Sequence, residues 1–342
     1  MARTEIASLG EFGLIHYLTK NIEICNASTV LGVGDDAAVI DHLGKQTVIT
    51  TDLLIEDIHF DLSYTPLQHL GYKSVIVNLS DVYAMNATPT QITVSIALSN
   101  RISLEAIEEF YEGVYAACTK YGVDVVGGDT TSSNKGFIIS ITAIGEINEN
   151  KIVKRSGAQV GDLLCVSGYL GAAFLGLTLL EREKRIFLEN PGVQPDLEDE
   201  KYVVGRLLKP EARKDIIEFF EKENILPTAM IDVSDGLSSE ILHICTQSQV
   251  GCVVYEDKLP IHDDTRNAAY KFKLDPTACA LSGGEDYELL FTLPQSEYDK
   301  LVLNEQISVI GYITPTEAGT HIITKGNNKY AITAQGWNPL QG

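Results

Sequence analysis

Positive charge is scarce in this chain. Its 342 residues include 26 Lys and Arg against 47 Asp and Glu, which gives a formal net charge of −21. Nucleic acids and anionic membranes both reward clustered lysine and arginine, so neither is expected as a partner. No apolar run approaches the ~20 residues that a membrane-spanning helix needs, and the N-terminal Met-Ala-Arg-Thr-Glu-Ile has no apolar signal-peptide core. These absences predict a cytoplasmic protein.

Paired cysteines are also missing. No C-x-x-C motif occurs, and the six cysteines are far apart, mostly in apolar stretches: Cys25, Cys118, Cys165, Cys245, Cys252 and Cys279. Free buried thiols in a reducing compartment are therefore expected, rather than disulfides or a zinc site.

The common phosphate-binding motifs are absent as well. Neither G-x-x-x-x-G-K-[ST] nor G-x-G-x-x-G after a strand is present, so P-loop and Rossmann interpretations lose their main support. What the chain has instead is four short acidic signatures: Gly34-Asp35-Asp36, Thr50-Thr51-Asp52, Asn78-Leu79-Ser80-Asp81 and Gly127-Gly128-Asp129-Thr130. Carboxylate oxygens are the ligands that Mg2+ prefers, and this ion commonly completes its shell with nucleotide phosphates. The signatures predict an enzyme that uses magnesium nucleotides.

The length and pattern of the chain predict two domains. A chain of 342 residues is long for one core, and a polar stretch over 148–161 suggests a boundary, with one domain over 1–148 and the other over 149–342. Helical and strand-like patterns are interleaved in both halves, which is typical of an α/β or mixed α+β protein with two lobes. The pattern also predicts a helix over 1–20 and a mobile loop over 192–200.

The acidic residues of the first half have different alternatives. Asp35 and Asp36 after a strand fit either a turn or a cation site, and Asp52 is expected directly after a strand over 47–50. Pro66 predicts the start of a helix that runs to about residue 85. On it Asp81 is costly unless paired, and no Lys or Arg lies one turn away, so metal ligation is favoured.

Glycines accompany acids at two other places. Gly128 and Asp129, expected just after a strand over 123–126, fit either a tight turn or a phosphate and metal site. The stretch Ser282-Gly283-Gly284-Glu285-Asp286-Tyr287-Glu288 repeats this combination. Between them, the sequence Asp232-Val233-Ser234-Asp235-Gly236 ends a strand and opens a helix, so Asp235 is either a ligand or a helix cap.

Three further residues have a functional and a structural interpretation. Arg155 could clamp a phosphate or be a solvated loop residue, and His59 could touch a substrate or be structural. Trp337 could offer a stacking surface for a ring or be a docking anchor.

Taken in order, these motifs resemble the thiamine-monophosphate kinase family, which belongs to the superfamily that includes aminoimidazole ribonucleotide synthetase. The resemblance covers nearly the whole chain. The segments that carry it are Gly32-Val33-Gly34-Asp35-Asp36-Ala37-Ala38, Thr51-Asp52, Ile58-His59-Phe60, Asn78-Leu79-Ser80-Asp81, Gly127-Gly128-Asp129-Thr130-Thr131, Arg155-Ser156-Gly157-Ala158, Asp232-Val233-Ser234-Asp235-Gly236-Leu237 and Ser282-Gly283-Gly284-Glu285-Asp286-Tyr287-Glu288.

The resemblance implies roles for the matching residues. Several Mg2+ ions would be shared by Asp35, Thr50, Thr51, Asp52, Asp81, Asp129, Asp232 and Asp235. ATP would contact Gly128, Asp129, Arg155, Ser234 and Tyr111, and thiamine monophosphate would contact His59, Glu285 and Trp337. The implied fold is the two-domain α/β arrangement of the aminoimidazole ribonucleotide synthetase superfamily, in which N-terminal sheets pair across a homodimer near the ATP site.

The implied reaction is ATP-dependent phosphorylation of thiamine monophosphate to thiamine diphosphate, by direct in-line transfer assisted by Mg2+. Whether a monovalent cation assists stays open. One alternative is another ATP enzyme of the superfamily, such as one that makes aminoimidazole ribonucleotide or selenophosphate. The segment Ile58-His59-Phe60 and the lack of an N-terminal reactive Cys or Sec segment disfavour it. A non-catalytic sensor of thiamine phosphates would need lost metal ligands, and none is lost.

Overall fold

A computed structural model describes residues 29–334, except positions 32, 33, 43, 100, 193 and 196. The predicted helix over 1–20 and Trp337 lie outside the described residues. The structure is built from two mixed sheets and the helices that pack on them. The fold class predicted from the sequence, a mixed α/β protein, is confirmed.

The first sheet holds six strands in the order β1-β2-β3-β6-β4-β5, and only the β4–β5 pair is parallel. Its strands are β1 (Thr29–Leu31), β2 (Ala38–His42), β3 (Lys45–Ile55), β4 (Thr88–Leu98), β5 (Asp124–Ser132) and β6 (Ile138–Asn148). Burial alternates along β6, where Ile139 and Ile141 are buried and Ser140 is partly exposed. Such alternation marks a sheet with one face packed on a core.

Two helices cover the packed face of the first sheet, α1 (Leu67–Ala84) and α2 (Leu104–Tyr121). Pro66 precedes α1 in an extended conformation, and Ser103 caps α2 by accepting a hydrogen bond from the Ala106 amide at 3.3 Å. The helices cross closely at Gly71 and Gly113. A Cβ atom added at either glycine would lie 1.9 Å from a backbone oxygen of the other helix. Only glycine therefore permits this separation between α1 and α2.

The second sheet holds seven strands in the order β13-β12-β9-β11-β7-β10-β8, and β9 and β12 form its parallel pair. Its strands are β7 (Leu163–Ser167), β8 (Ala229–Val233), β9 (Val250–Tyr255), β10 (Glu288–Leu293), β11 (Ile307–Pro315), β12 (Thr320–Ile323) and β13 (Lys329–Ala331). The helices of this half are α3 (Ala172–Glu189), α4 (Lys201–Leu208), α5 (Lys214–Glu223), α6 (Leu237–Ser248), α7 (Asp263–Lys271), α8 (Pro276–Ser282) and α9 (Tyr298–Leu301).

Helix α1 lies between the two halves. Besides the first sheet and α2, it contacts β8 and α4 of the second half. Its last residue, Ala84, belongs to the apolar cluster of the second sheet together with Met230 and Leu289. Residues of α1 therefore have neighbours in both sheets, and this position makes α1 the element that supports the candidate site.

Several predicted elements agree with the structure, and two strands are longer than predicted. The helix predicted from Pro66 to about residue 85 is confirmed as α1. Strand β3 continues to Ile55, so Asp52 lies inside a strand and not directly after one. Strand β5 continues to Ser132, so Gly127 and Asp129 are strand residues and not a turn. The predicted boundary after residue 148 stays a prediction.

Cysteines and helix length agree with the expectations from composition. Five cysteines are buried free thiols: Cys118, Cys165, Cys245, Cys252 and Cys279. In the part of the chain that the structure describes, no helix combines the length and the apolar character needed to cross a bilayer.

Candidate active site

One side of α1 faces the second half of the molecule. Lys73, Val77, Ser80, Asp81 and Ala84 recur at helical spacing, which puts them along one stripe. The Ser80 hydroxyl donates a hydrogen bond of 2.7 Å to Oδ2 of Asp232, at the carboxyl end of β8. This stripe brings polar side chains to a buried boundary between the halves.

Three carboxylates meet at that boundary. One oxygen each from Asp36, Asp81 and Asp232 lies within 4.8 Å of the other two. They come from the segment before β2, from α1 and from β8. We call Asp36, Asp81 and Asp232 the carboxylate cluster.

Burial and mutual repulsion raise the pKa values of these acids. The pKa of Asp81 is well above its usual value, first because of desolvation and then because of Asp52, Asp232 and Asp36. Burial, followed by the Asp36 charge, raises the pKa of Asp232 to about 7. Burial also raises the pKa of Asp52 to about 6. Carboxylates that repel one another in this way are relieved by a bound cation.

The donor set fits a divalent cation such as Mg2+. All cluster atoms are carboxylate oxygens, the ligands that a hard cation prefers. Oδ2 of Asp36 is buried and has no hydrogen-bond partner in the structure. A buried polar atom without a partner needs an explanation, and a cation held by the carboxylate cluster would provide one.

Hydrogen bonds fix the acids around the cluster. The Thr50 hydroxyl donates to Oδ2 of Asp81 at 2.6 Å. The side-chain oxygen of Asn78 accepts from the Asp52 amide at 3.0 Å, while its nitrogen donates to the Ser74 carbonyl at 3.1 Å. Asn78 was not among the predicted site residues, although it belongs to the acidic signature Asn78-Leu79-Ser80-Asp81. It positions β3 against α1.

Arg155 contacts both acids of the Asp35-Asp36 pair. Its guanidinium forms an ion pair with Asp36, with Nε 3.0 Å from Oδ1, and its backbone amide lies 3.3 Å from both oxygens of Asp35. The predicted metal role of Asp35 stays a prediction, while the structure places its neighbour Asp36, which was not predicted, in the carboxylate cluster. Burial, followed by the Asp36 charge, raises the pKa of Asp35 to about 6. Adjacent positions in one motif could not be told apart from sequence.

The Asp232–Gly236 segment differs from a simple helix cap. Gly236 precedes α6, and no side chain caps that helix. The capping alternative for the Asp235 side chain is therefore wrong. The Asp235 amide instead donates to Oε1 of Glu240 at 3.1 Å. Burial raises the pKa of Asp235. Asp235 is half-buried and lies three residues after the cluster residue Asp232, so its carboxylate is a candidate for a ligand role.

A second polar group lies further along the same boundary. Lys73 of α1 is only 5% exposed and forms an ion pair with Glu285. His59 is close to both, because the charges of Glu285 and Lys73 both act on its pKa, which burial lowers. Nδ1 of His59 accepts a hydrogen bond from the Ile55 amide at 3.1 Å. Two predicted substrate residues, His59 and Glu285, are thus brought together, and Lys73 is a residue that sequence reasoning missed.

The loop that carries Glu285 has an unusual backbone. Gly284, Glu285 and Tyr287 have φ values of +70°, +58° and +52°. A positive φ is uncommon for residues other than glycine and often marks a functional site. A Cβ atom at position 284 would lie 2.7 Å from the Ser234 carbonyl oxygen, and the Glu285 amide donates to that oxygen at 2.6 Å. Ser234 therefore holds the Glu285 loop through its backbone.

Three other predicted residues lie apart from the cluster. Asp129 of β5 is opposite Ser95 of β4. Ser95 is in turn opposite Ser140 of β6, and Ser140 is opposite Leu53 of β3. Residues opposite one another share a face of the sheet, and Leu53 and Asp52 point to different faces. Asp129 therefore faces away from the carboxylate cluster, and β5 lies three strand spacings, roughly 14 Å, from β3.

Thr51 lies on that outer face as well. Its hydroxyl donates to the Ile141 carbonyl at 3.0 Å and accepts from the Thr142 hydroxyl at 3.1 Å. Gly128 lies beside Asp129 on β5 and packs against the backbone of Val94. Within one chain, Thr51 and Asp129 therefore lie on the face away from the other predicted ligands. Gly128 is opposite the buried Val94 and so lies on the packed face, but on the edge strand β5.

Tyr111 is a half-buried residue of α2. Its ring centroid lies 5.6 Å from that of Phe110 and 5.8 Å from that of Tyr115. The structure thus places Tyr111 in an aromatic group on α2, and its contact with a nucleotide stays a prediction.

Comparison with known proteins first gives the broad class of the N-terminal part of the chain. The family profile described as "AIR synthase related protein, N-terminal domain" matches residues 34–147. That stretch begins at Gly34, before the cluster residue Asp36, and ends inside β6. The first half of the chain is therefore of the AIR synthase-related class.

Relatives that match nearly the whole chain identify the family within this class. A thiamine-monophosphate kinase of Bacillus subtilis is 33% identical over 339 residues, covering 96% of this chain and 99% of the relative. The enzyme of Aquifex aeolicus is 34% identical over 332 residues, with coverages of 97% and 98%. A solved structure titled "AaThiL complexed with AMPPCP and TMP" superposes with a TM-score of 0.83 at 32% identity, covering 99% of both chains. The chain belongs to the thiamine-monophosphate kinase family.

Proposed function

We propose that this protein transfers the γ-phosphoryl group of ATP to the phosphate of thiamine monophosphate, giving thiamine diphosphate and ADP. The carboxylate cluster is the observation that carries the proposal, because it gathers carboxylate oxygens that could hold a cation, and Arg155 lies beside it. The structural neighbour whose title names AMPPCP and TMP supports the choice of substrates.

Electrostatic repulsion is the main obstacle to this reaction. Both the attacking and the attacked group are anionic, yet they must approach to ~3–3.5 Å. Asp36, Asp81 and Asp232, with Asp52 and Asp235 beside them, would hold Mg2+. Mg2+ bound there would neutralise phosphate charge and so permit the approach. Arg155 would add a planar donor pair that suits phosphate oxygens.

The transfer is proposed to be direct. Cys118, Cys165, Cys245, Cys252 and Cys279 are buried thiols, and Nδ1 of His59 is engaged by a backbone amide. A buried thiol lacks the exposure that a covalent nucleophile needs, and the His59 nitrogen that accepts this hydrogen bond is already occupied. A chiral γ-phosphate should therefore be inverted once, and net retention of configuration would contradict direct transfer.

Substrate recognition is proposed to use His59 and Glu285. The thiazolium ring of thiamine monophosphate is a cation, and the Glu285 carboxylate offers the opposite charge at a partly exposed position. Trp337 is a further proposed contact that lies outside the described residues. These three residues stay the proposed contacts of the thiamine moiety.

A homodimer is proposed to form along the first sheet. Every residue of β5 is exposed, including Val125 and Val126, although β5 is the edge of a six-stranded sheet. An uncovered edge strand favours pairing with another chain. Light scattering after size-exclusion chromatography should give a mass near twice the 37.4 kDa of one chain. A monomer at micromolar concentration would contradict this.

The buried free thiols support the proposal that the protein works in a reducing compartment such as the cytoplasm.

The decisive test of function is direct. Purified protein incubated with ATP, Mg2+ and thiamine monophosphate should produce thiamine diphosphate and ADP in equal amounts. ATP hydrolysis without thiamine diphosphate, or product formation unaffected by excess EDTA, would overturn the proposal.

A further inference from the structure

Lys73 is a buried cation that links the two halves of the molecule. Its ammonium group belongs to α1, in the first half of the chain, and pairs with Glu285, which precedes β10 in the second half. The Lys73 side chain is 6% exposed and the Glu285 side chain is 35% exposed. The ion pair therefore has a buried cationic end and a carboxylate end that faces outward.

The loop that carries Glu285 is fixed from both sides. On its far side Arg206 donates to the Asp286 carbonyl at 2.8 Å and to Oε1 of Glu288 at 2.9 Å. On its near side Lys73 binds the Glu285 carboxylate itself. Arg206 thus holds the backbone of the loop, whereas Lys73 directly orients the one side chain that is partly open.

Helix α1 also connects this ion pair to the carboxylate cluster. Lys73 and Asp81 lie on the same stripe of α1, eight residues apart. At 1.5 Å per residue this corresponds to about 12 Å along the helix axis. One rigid element therefore sets the separation between the cluster that would bind phosphate and the carboxylate that would bind a cationic ring.

We infer that Lys73 is a substrate-positioning residue, which holds the Glu285 carboxylate at a fixed distance from Asp81 for the cationic end of a phosphorylated substrate. This inference rests on the proposed function and deepens it. The Lys73–Glu285 ion pair between the halves would recognise the positive ring. Helix α1 would select substrates by the distance between their ring and their phosphate. A substrate with the phosphate but without the cationic ring would not use this contact.

The test compares the cationic substrate with a neutral fragment. Lys73→Met removes the charge at nearly constant length and should raise KM for thiamine monophosphate about tenfold or more, with kcat and KM for ATP changed less than about twofold. The inhibition constant of the neutral thiazole fragment, hydroxyethylthiazole phosphate, should stay within about twofold. Lys73→Arg, which keeps the charge, should restore most of the affinity.

Two further variants separate positioning from general damage. Glu285→Gln should raise KM as Lys73→Met does, and the double variant should be no worse than either single variant, because the two residues act as one unit. Lys120→Met is the control, since it removes another ion pair between the halves, Lys120–Glu211, which is far more exposed. It should leave both constants unchanged.

Each outcome decides the inference. An unchanged KM for thiamine monophosphate in folded Lys73→Met would overturn it. An equal loss of affinity for the substrate and the neutral fragment would also overturn it, because that result would show only a structural role for Lys73. If Lys73→Met does not fold, Lys73→Gln, which removes the charge but keeps a polar side chain, provides the same comparison. Should the wild type fail to phosphorylate thiamine monophosphate, calorimetric binding of that compound still tests Lys73, and only the proposed function has then failed.

Discussion

Three neighbouring carboxylates oppose the charge of Asp81. It is surrounded by Asp36, Asp52 and Asp232 and receives one hydrogen bond, from Thr50. Asp81→Asn keeps the shape and removes one charge of the cluster. We expect it to abolish most kinase activity, because a hard-cation ligand is lost, and to leave the fold intact.

Thermal stability gives a second readout of the same variant. In EDTA the Asp81→Asn protein should unfold at the same temperature as wild type or a higher one, because one of several repelling buried charges is gone. In Mg2+ the wild type should gain more stability than the variant. Wild-type turnover of Asp81→Asn at saturating ATP would count against the assignment of Asp81.

Asp232 makes the stability of EDTA-treated protein depend on pH. Its pKa rises from 3.8 to about 7 on folding, so between these values the folded protein binds more protons than the unfolded chain. Stability should therefore fall as pH rises from 4 to 7, by an amount on the order of a few kcal/mol. Urea unfolding in EDTA at pH 5 and pH 8 measures this difference.

Mg2+ should reverse that dependence, because the cation replaces the protons. The increase in unfolding free energy produced by Mg2+ should be larger at pH 8 than at pH 5. Asp232→Asn should flatten both profiles. A Mg2+ effect of equal size at the two pH values in wild-type protein would show that these carboxylates are not the cation ligands.

At the scale of elements, the contact between α1 and α2 determines where the ligands of α1 lie. Gly113→Ala would place a methyl group 1.9 Å from the Gln68 carbonyl oxygen, so the helices must separate. We expect a loss of about 3 kcal/mol in unfolding free energy and a lower activity, because α1 carries Lys73 and Asp81. Urea unfolding and steady-state kinetics provide the two measurements.

A matched control lies in α4. Gly205 is an interior helix residue with no atom within 4 Å of an added Cβ. Gly205→Ala should stabilise the protein slightly, by up to about 1 kcal/mol, and leave the activity unchanged. If Gly113→Ala behaved like Gly205→Ala, the close crossing of α1 and α2 would not be a constraint on the site.

Helices and strands were predictable from the sequence where the local hydrophobic pattern matches the packing in the fold. Helix α1 follows from Pro66 and its apolar pattern, and its predicted span is close to the observed Leu67–Ala84. Strands β3 and β5 extend past their apolar runs, because pairing with β6 and β4 continues through polar residues such as Thr51 and Asp129. Local pattern does not contain that pairing, so both strands were predicted too short.

Site residues were predictable where acids cluster in motifs, and not where they depend on distant partners. Asp81 and Asp232 are recognisable from costly acids beside apolar positions. Lys73 is not, because its partner Glu285 is 212 residues away in the chain. Asp36 was not predicted as a ligand, because its place in the cluster depends on the backbone turn before β2 and on Arg155, and the sequence motif specifies neither.

At the scale of the whole molecule, one chain divides its predicted ligands between two faces of the first sheet. The carboxylate cluster lies on the face packed on α1, while Asp129 is on the outer face of the exposed strand β5. If one nucleotide contacts both sets, the second set must come from the partner chain of the proposed dimer. Each of its two sites would then draw on both chains.

This arrangement predicts complementation between two inactive variants. Asp81→Asn and Asp129→Asn should each be inactive alone, but in a refolded one-to-one mixture half of the dimers would be mixed. Each mixed dimer would hold one site with both acids intact, so activity should recover to about one quarter of wild type. The control pair, Asp81→Asn with Asp52→Asn, alters two acids on the same face and should recover nothing. An inactive first mixture would show that Asp129 serves the site of its own chain, because both acids would then have to be intact in a single chain.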